Sequence, residues 1–163
     1  MNGNEKTAEL IGEIHKTFAI MQKIHSFYQE FKQNDWILLG KRQSSAIVIA
    51  EIITDFYTCI ETLFVRISHF FENSLKPDKW HSDLLHKMTI EIQGVRKAVI
   101  SDQTHSLLLE LMKFRHFRRY YFEFDYDWDK LEFLEKKYHQ ARGLLYQDLK
   151  AFENFLIRMS EQD

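Results

Sequence analysis

The chain has 163 residues, with only one Pro, five Gly and one Cys. At that length one domain spanning residues 1–163 is expected, large enough to bury about two thirds of its unfolded surface. Hydrophobic residues reach 45% and the charged 28% balance to a net of −2, which excludes compositional disorder and a chain-wide basic coat for nucleic acid.

Scarce Gly and Pro predict few turns and long helices. From Thr7 to about Lys32, Ile11, Ile14, Phe18, Met21, Ile24 or His25, and Tyr28 recur at steps of three and four, the signature of an amphipathic helix. Gln33-Asn34-Asp35 breaks it, with Asp35 able to cap the next helix. Trp36 to about Asn73 then predicts a second helix with a weak point at Gly40 and an alternative start at Ser44 or Ser45; its apolar run from Ile49 to Phe71 suits the centre of a bundle. Pro77 marks a connector, because its fixed φ and missing donor interrupt a helix. A short helix is predicted over Ser82–Ile90, closed by Gly94, with an irregular segment over Val95–Ile100. Ser101-Asp102 signals the next helix start, carried to about Phe122. Asp125 to Asp129 is another break, with Asp127 or Asp129 as cap, before a last helix over about Lys130–Met159. Four long helices and one short one, joined by short connections, predict an all-α up-and-down bundle.

Cys59 has no intramolecular partner and reads as a small core residue. No secretory leader pattern opens the sequence, and the longest apolar stretch, Ala46 to Ile53, is interrupted by Glu51 and falls short of the roughly 20 residues of a bilayer span. A soluble, cytoplasmic protein without membrane association is expected. Asp125, Asp127 and Asp129 alternate as in a calcium loop, yet Lys130 stands where the loop needs Gly and Lys136 where it needs Glu. No zinc or phosphate-loop motif occurs, so neither metal nor cofactor is expected.

The sharpest local feature is charge segregation. Lys113, Arg115, His116, Arg118 and Arg119 form a basic helix end with no acid between Glu110 and Glu123, and Glu123, Asp125, Asp127 and Asp129 come directly after. Cations at a helix C-terminus complement its dipole, which accounts for the pattern without a ligand. The alternative is a phosphate clamp: Arg115 and Arg119 share a face, His116 and Tyr120 the adjacent one, and Phe114, Phe117, Tyr120, Tyr121 and Phe122 interleave stacking surfaces suited to single-stranded nucleic acid.

Phe56-Tyr57-x-x-Ile60-Glu61-x-x-x-x-Arg66-Ile67, Trp80-His81-x-x-Leu84-Leu85-x-x-Met88, Gly94-Val95-Arg96-x-Ala98-Val99-Ile100-Ser101, Phe114-Arg115-His116 with Arg119, and Asp127-Trp128-x-x-Leu131 occur in that order. Together they resemble the HepT-like branch of the HEPN superfamily. The resemblance implies an all-α bundle, a homodimer, and the metal-independent ribonuclease toxin of a toxin–antitoxin pair whose partner is a minimal nucleotidyltransferase. It also implies an Arg-x4-6-His motif in which His takes the 2′-OH proton and Arg stabilises phosphorane charge. Arg115 matches the motif Arg and Arg119 a second Arg, but Tyr120 stands where the His is expected. Phe122 replaces the Tyr that accepts AMP in some relatives, leaving Tyr120 or Tyr121 as acceptors. A phenol near pKa 10 is a poor base at neutrality, so His116 and Tyr120 both stay open for that position. The matched position of Glu61 implies a buried partner for the motif Arg, against a surface pair with Arg66; Arg118 and Lys113 would support phosphate binding. Trp80-His81 is expected to pin the connector into the core. The rival reading is a non-catalytic nucleotide- or RNA-binding module paired with a nucleotidyltransferase.

Overall fold

The computed structural model describes residues 3–72, 80–120 and 125–161. They form six helices: α1 (Gly3–Gln33), α2 (Asp35–Leu39), α3 (Gln43–Phe71), α4 (Trp80–Lys87), α5 (Asp102–Tyr120) and α6 (Trp128–Ser160). The Pro77 connector, Tyr121, Phe122 and Glu123 lie outside the described residues. The all-α expectation holds, and two short helices accompany the four long ones. The extra one, α2, arises because Gly40 takes φ +59 and separates Asp35–Leu39 from α3; a side chain rarely tolerates that region. The N-cap of α2 is Asn34 rather than Asp35, and its side chain makes no capping bond.

Pairings along the helices give the topology. His25 meets Tyr138 while His15 meets Glu153, so α1 and α6 run antiparallel. Thr54 meets Arg118 while Glu61 meets Arg115, so α3 and α5 do too. Helices α1, α3, α5 and α6 therefore form a ring of antiparallel neighbours, and their buried faces meet in one core cluster. The run from Ile49 to Ile67 lies at its centre as the α3 periodicity requires. On α1 the buried line is Thr7, Leu10, Ile14, Thr17, Met21, His25, Tyr28 and Phe31, rotated from the purely apolar choice. Threonine fits there because Thr7 and Thr17 each donate to the carbonyl four residues back, and His25 fits because its Nδ1 lies 3.1 Å from the Tyr138 hydroxyl.

Three polar devices set the positions of α4, α5 and α6. Ser101 Oγ accepts from the Thr104 amide, and Asp148 Oδ2 accepts from the Ser101 amide (2.9 Å) and the Thr104 hydroxyl (2.6 Å), fixing the start of α5 on α6. Asp127 caps α6 through the Asp129 amide at 2.9 Å. Arg96, 2% exposed, donates to the carbonyls of Lys87 (3.0 Å), Ile90 (2.8 Å) and Lys97 (3.2 Å) and to Glu72 just beyond α3. That clamp joins the end of α3 to the end of α4 and to the turn at Gly94, where φ is +75.

Two predictions concern this framework. Arg96→Ala takes the guanidinium from three carbonyls and leaves Glu72 with Lys87, 3.5 Å away, as its remaining cation, and should lower unfolding free energy in urea by about 2–3 kcal/mol. His25 and His139 are both held below the ordinary histidine pKa of 6.5, chiefly by burial, with Arg142 adding to the effect. They take up protons at a lower pH in the folded chain than in the unfolded chain, where uptake is near 6.5. Stability is therefore fully present above that pH and is lost as pH falls through it. The urea midpoint should be lower at pH 5.5 than at pH 7.5, and His25→Gln should narrow the difference.

Candidate functional site

Along α3, Glu51, Thr54, Thr58 and Glu61 succeed one another at steps of three, four and three, placing a polar stripe on one side of an otherwise apolar helix. The stripe faces α5. Arg118 donates to Thr54 Oγ1 at 3.1 Å and to the Tyr126 hydroxyl at 3.1 Å, and its Nη2 lies 2.5 Å from Glu51. One turn earlier on α5, Arg115 Nη2 lies 2.8 and 3.0 Å from the two oxygens of Glu61. Arg115 Nη1 reaches Thr58 at 3.4 Å, and the guanidinium carbon sits 4.8 Å from the centre of the Tyr57 ring.

Glu61 is 6% exposed, the most demanding group of the cluster, since a buried carboxylate must be paired. It pairs with Arg115 and not with Arg66, which reaches across to Glu13 on α1. Its second partner comes from α4: His81 Nδ1 lies 2.8 Å from Glu61 Oε2. The His81 ring is sandwiched in place, with Trp80 at 3.6 Å between centroids and 30° between planes, and the edge-on ring of His116 at 4.8 Å and 79°. Trp80, His81, Glu61, Thr54, Arg115 and Arg118 line an open cleft of about 530 Å³. Two arginines, an imidazole and an indole face at one opening make a pocket for an anionic group carrying an aromatic ring.

Neighbouring ionisable groups are held in their uncharged forms. Burial, followed by the Glu61 carboxylate, pushes the Tyr57 phenol far above its ordinary value, so it serves as a wall under Arg115. Burial pushes the Cys59 thiol up to about 12, and its Sγ lies 3.1 Å from the Phe56 carbonyl; this is a packing residue, not a nucleophile.

Several sequence-predicted residues are brought together and others are not. Arg115, Arg118 and Glu61 share the cleft. Lys113 does not: it is exposed, lies 3.5 Å from Glu110, and lines a separate pocket with Phe114, Phe117 and Tyr126, because its place on α5 points away from α3. His116 touches the His81 ring beside the cleft. Arg119 and Tyr120 belong to the last turn of α5, and the description does not extend to their side chains. Tyr121 lies outside the described residues. Sequence reasoning placed His81 in the core as an anchor; it lies in the cleft with 19% of its side chain exposed. The signal that could have found it is the Trp80-His81 pair standing at a helix start, opposite a lone mid-helix carboxylate in an apolar run. Among the described residues there is no group of three or more His, Cys, Asp and Glu side chains able to hold a metal, and no helix long and apolar enough to cross a membrane.

A double-mutant cycle tests the geometry. Glu61→Ala and Arg115→Ala should each destabilise the fold and couple by about 1–3 kcal/mol, whereas Glu61→Ala and Arg66→Ala should be additive within about 0.5 kcal/mol.

The family model described as HepT-like protein matches residues 48–156, which include Glu61, His81, Arg115 and Arg118. Comparison with curated proteins and with solved structures gives no match. Matched over more than half its length by that model, and all-α as such a domain requires, the chain belongs to the HepT-like family of the HEPN superfamily.

Proposed function

We propose that this HepT-like chain acts on RNA as the metal-independent ribonuclease of a toxin–antitoxin pair, working as a homodimer and held in check by a nucleotidyltransferase-like antitoxin. The observation that carries the reading is the double contact between Glu61 and Arg115, which aims a guanidinium into an open cleft while burying the carboxylate that holds it. A guanidinium fixed this way has N–H groups left for phosphate oxygens and need not reorganise as charge builds on the phosphorane. Arg118 adds positive charge at the rim and Trp80 a surface on which a base stacks. Arg119, four residues after Arg115 in the sequence and matching the second Arg of the family motif, is the further residue assigned to phosphate in this reading. Cytoplasmic RNA, with tRNA among the candidate substrates, is the expected target.

The second reading keeps the cleft and drops the chemistry. Tyr120 in place of the motif His favours it: the chain would then bind nucleotide or RNA, with Tyr120 or Tyr121 as acceptors of AMP from the antitoxin. Purified protein incubated with total tRNA in EDTA separates the two. Under the first reading tRNA is cleaved, and Arg115→Ala lowers the rate by about 10²–10³-fold. Intact tRNA with both proteins leaves the binding module.

A further inference from the structure

The motif histidine is missing from α5, yet the cleft contains an imidazole. The Glu61–His81 contact decides which nitrogen of that imidazole carries the proton. A carboxylate oxygen 2.8 Å from Nδ1 is attractive only if Nδ1 bears hydrogen; a lone pair facing it would be repelled. Arg115 Nη2 contacts both oxygens of the same carboxylate. The 3.2 Å approach of Arg115 Nη2 to His81 Nδ1 is then a by-product of both groups converging on one carboxylate. In the neutral ring, Nε2 is left as the lone-pair nitrogen, and among the described residues no hydrogen bond engages it. His81 also lines the cleft beside Arg115, whereas His116 is not among the residues lining it.

We propose that His81, on α4, is the proton-accepting catalytic residue of this cleft, oriented by Glu61 and acting beside Arg115. The role rests on the ribonuclease reading above. In the step it performs, the ribose 2′-OH gives its proton to His81 Nε2 as the 2′-oxygen forms a bond to phosphorus. The bond from phosphorus to the 5′-oxygen of the next nucleotide breaks, and that oxygen takes a proton from solvent water. His81 then returns its proton to solvent, so no water is consumed overall. The products are a 2′,3′-cyclic phosphate and a 5′-hydroxyl end, and Arg115 stabilises the negative charge that develops on the non-bridging oxygens. One carboxylate thus serves two catalytic groups, one positioned by an ion pair and one by the choice of tautomer.

The test uses the full-length chain, a tRNA substrate in EDTA, and His81→Ala and His81→Gln variants whose folding is checked by circular dichroism and thermal melting. His81→Ala should cleave at least about 100-fold more slowly at saturating tRNA, a loss in rate larger than any loss in tRNA affinity. Added imidazole should restore part of the rate, which a merely structural loss would not allow. Nitrogen-15 spectra of the wild-type protein should show neutral His81 protonated at Nδ1, and Glu61→Gln should remove that preference. Cleavage by both His81 variants at the wild-type rate, or a His81 ring protonated at Nε2, overturns this role and leaves the ribonuclease reading standing. A wild-type chain that leaves tRNA intact overturns the ribonuclease reading and this role with it.

Discussion

A carboxylate buried at the inner end of the polar stripe on α3 is the constraint on which the cleft depends. Glu61 sits among Ile60, Leu63 and Phe64, all of them in the core, and its charge has to be answered by groups from outside α3. Arg115 supplies one answer from α5 and His81 the other from α4, so a single side chain ties three helices together. A buried ion pair adds little to stability when weighed against well-packed apolar groups, because both partners have lost their water. Its effect here is geometric: it sets which turn of α5 lies opposite which turn of α3. The Arg118 contacts one turn along repeat the same register with Glu51 and Thr54, at a more exposed position.

This division also separates the two arginines by task. They come from one basic run, yet Arg115 rests on a carboxylate that is almost wholly enclosed, while Glu51, the acid beside Arg118, is more than half exposed. Solvent screens the outer pair and hardly reaches the inner one. A phosphate arriving at the cleft would displace water from the rim at small cost, and would meet at the floor a guanidinium that has already given up its conformational freedom.

Much of the architecture could be read from residue spacing, because helical periodicity reports which face of a helix is buried. The stripe of α3, the Ser101 start of α5 and the Asp127 cap of α6 are local signals with local causes. Other features depend on what lies across the core. The spacing leaves Ile24 or His25 for the buried line of α1; Tyr138 of α6 decides for His25 by offering it a hydrogen bond, and nothing near residue 25 in the chain reveals that partner. The same holds for the cleft. Glu61 and Arg115 could be paired through the family motif, whereas His81 meets Glu61 only because α4 packs against α3, and spacing along either helix carries no record of that packing. Lys113 fails for the opposite reason: it lies in the basic run, but a helix rotates each successive residue by about 100°, so two positions before Arg115 the side chain faces elsewhere.

The Arg96 clamp determines how freely the segment around it can drift in sequence. Apart from Glu72, everything Arg96 grips is main chain: the carbonyls of Lys87, Ile90 and Lys97 would be there whatever side chains those positions carried. Arg96 and Glu72, with the Lys87 ammonium 3.5 Å from the same carboxylate, therefore hold the passage from α4 to α5 in shape while most side chains of that passage are released from that duty. Substitutions at the exposed positions Glu91, Gln93 and Val95 can retune, in charge or in bulk, the surface that faces Phe155 and Arg158 at the end of α6, without moving the helix that carries His81.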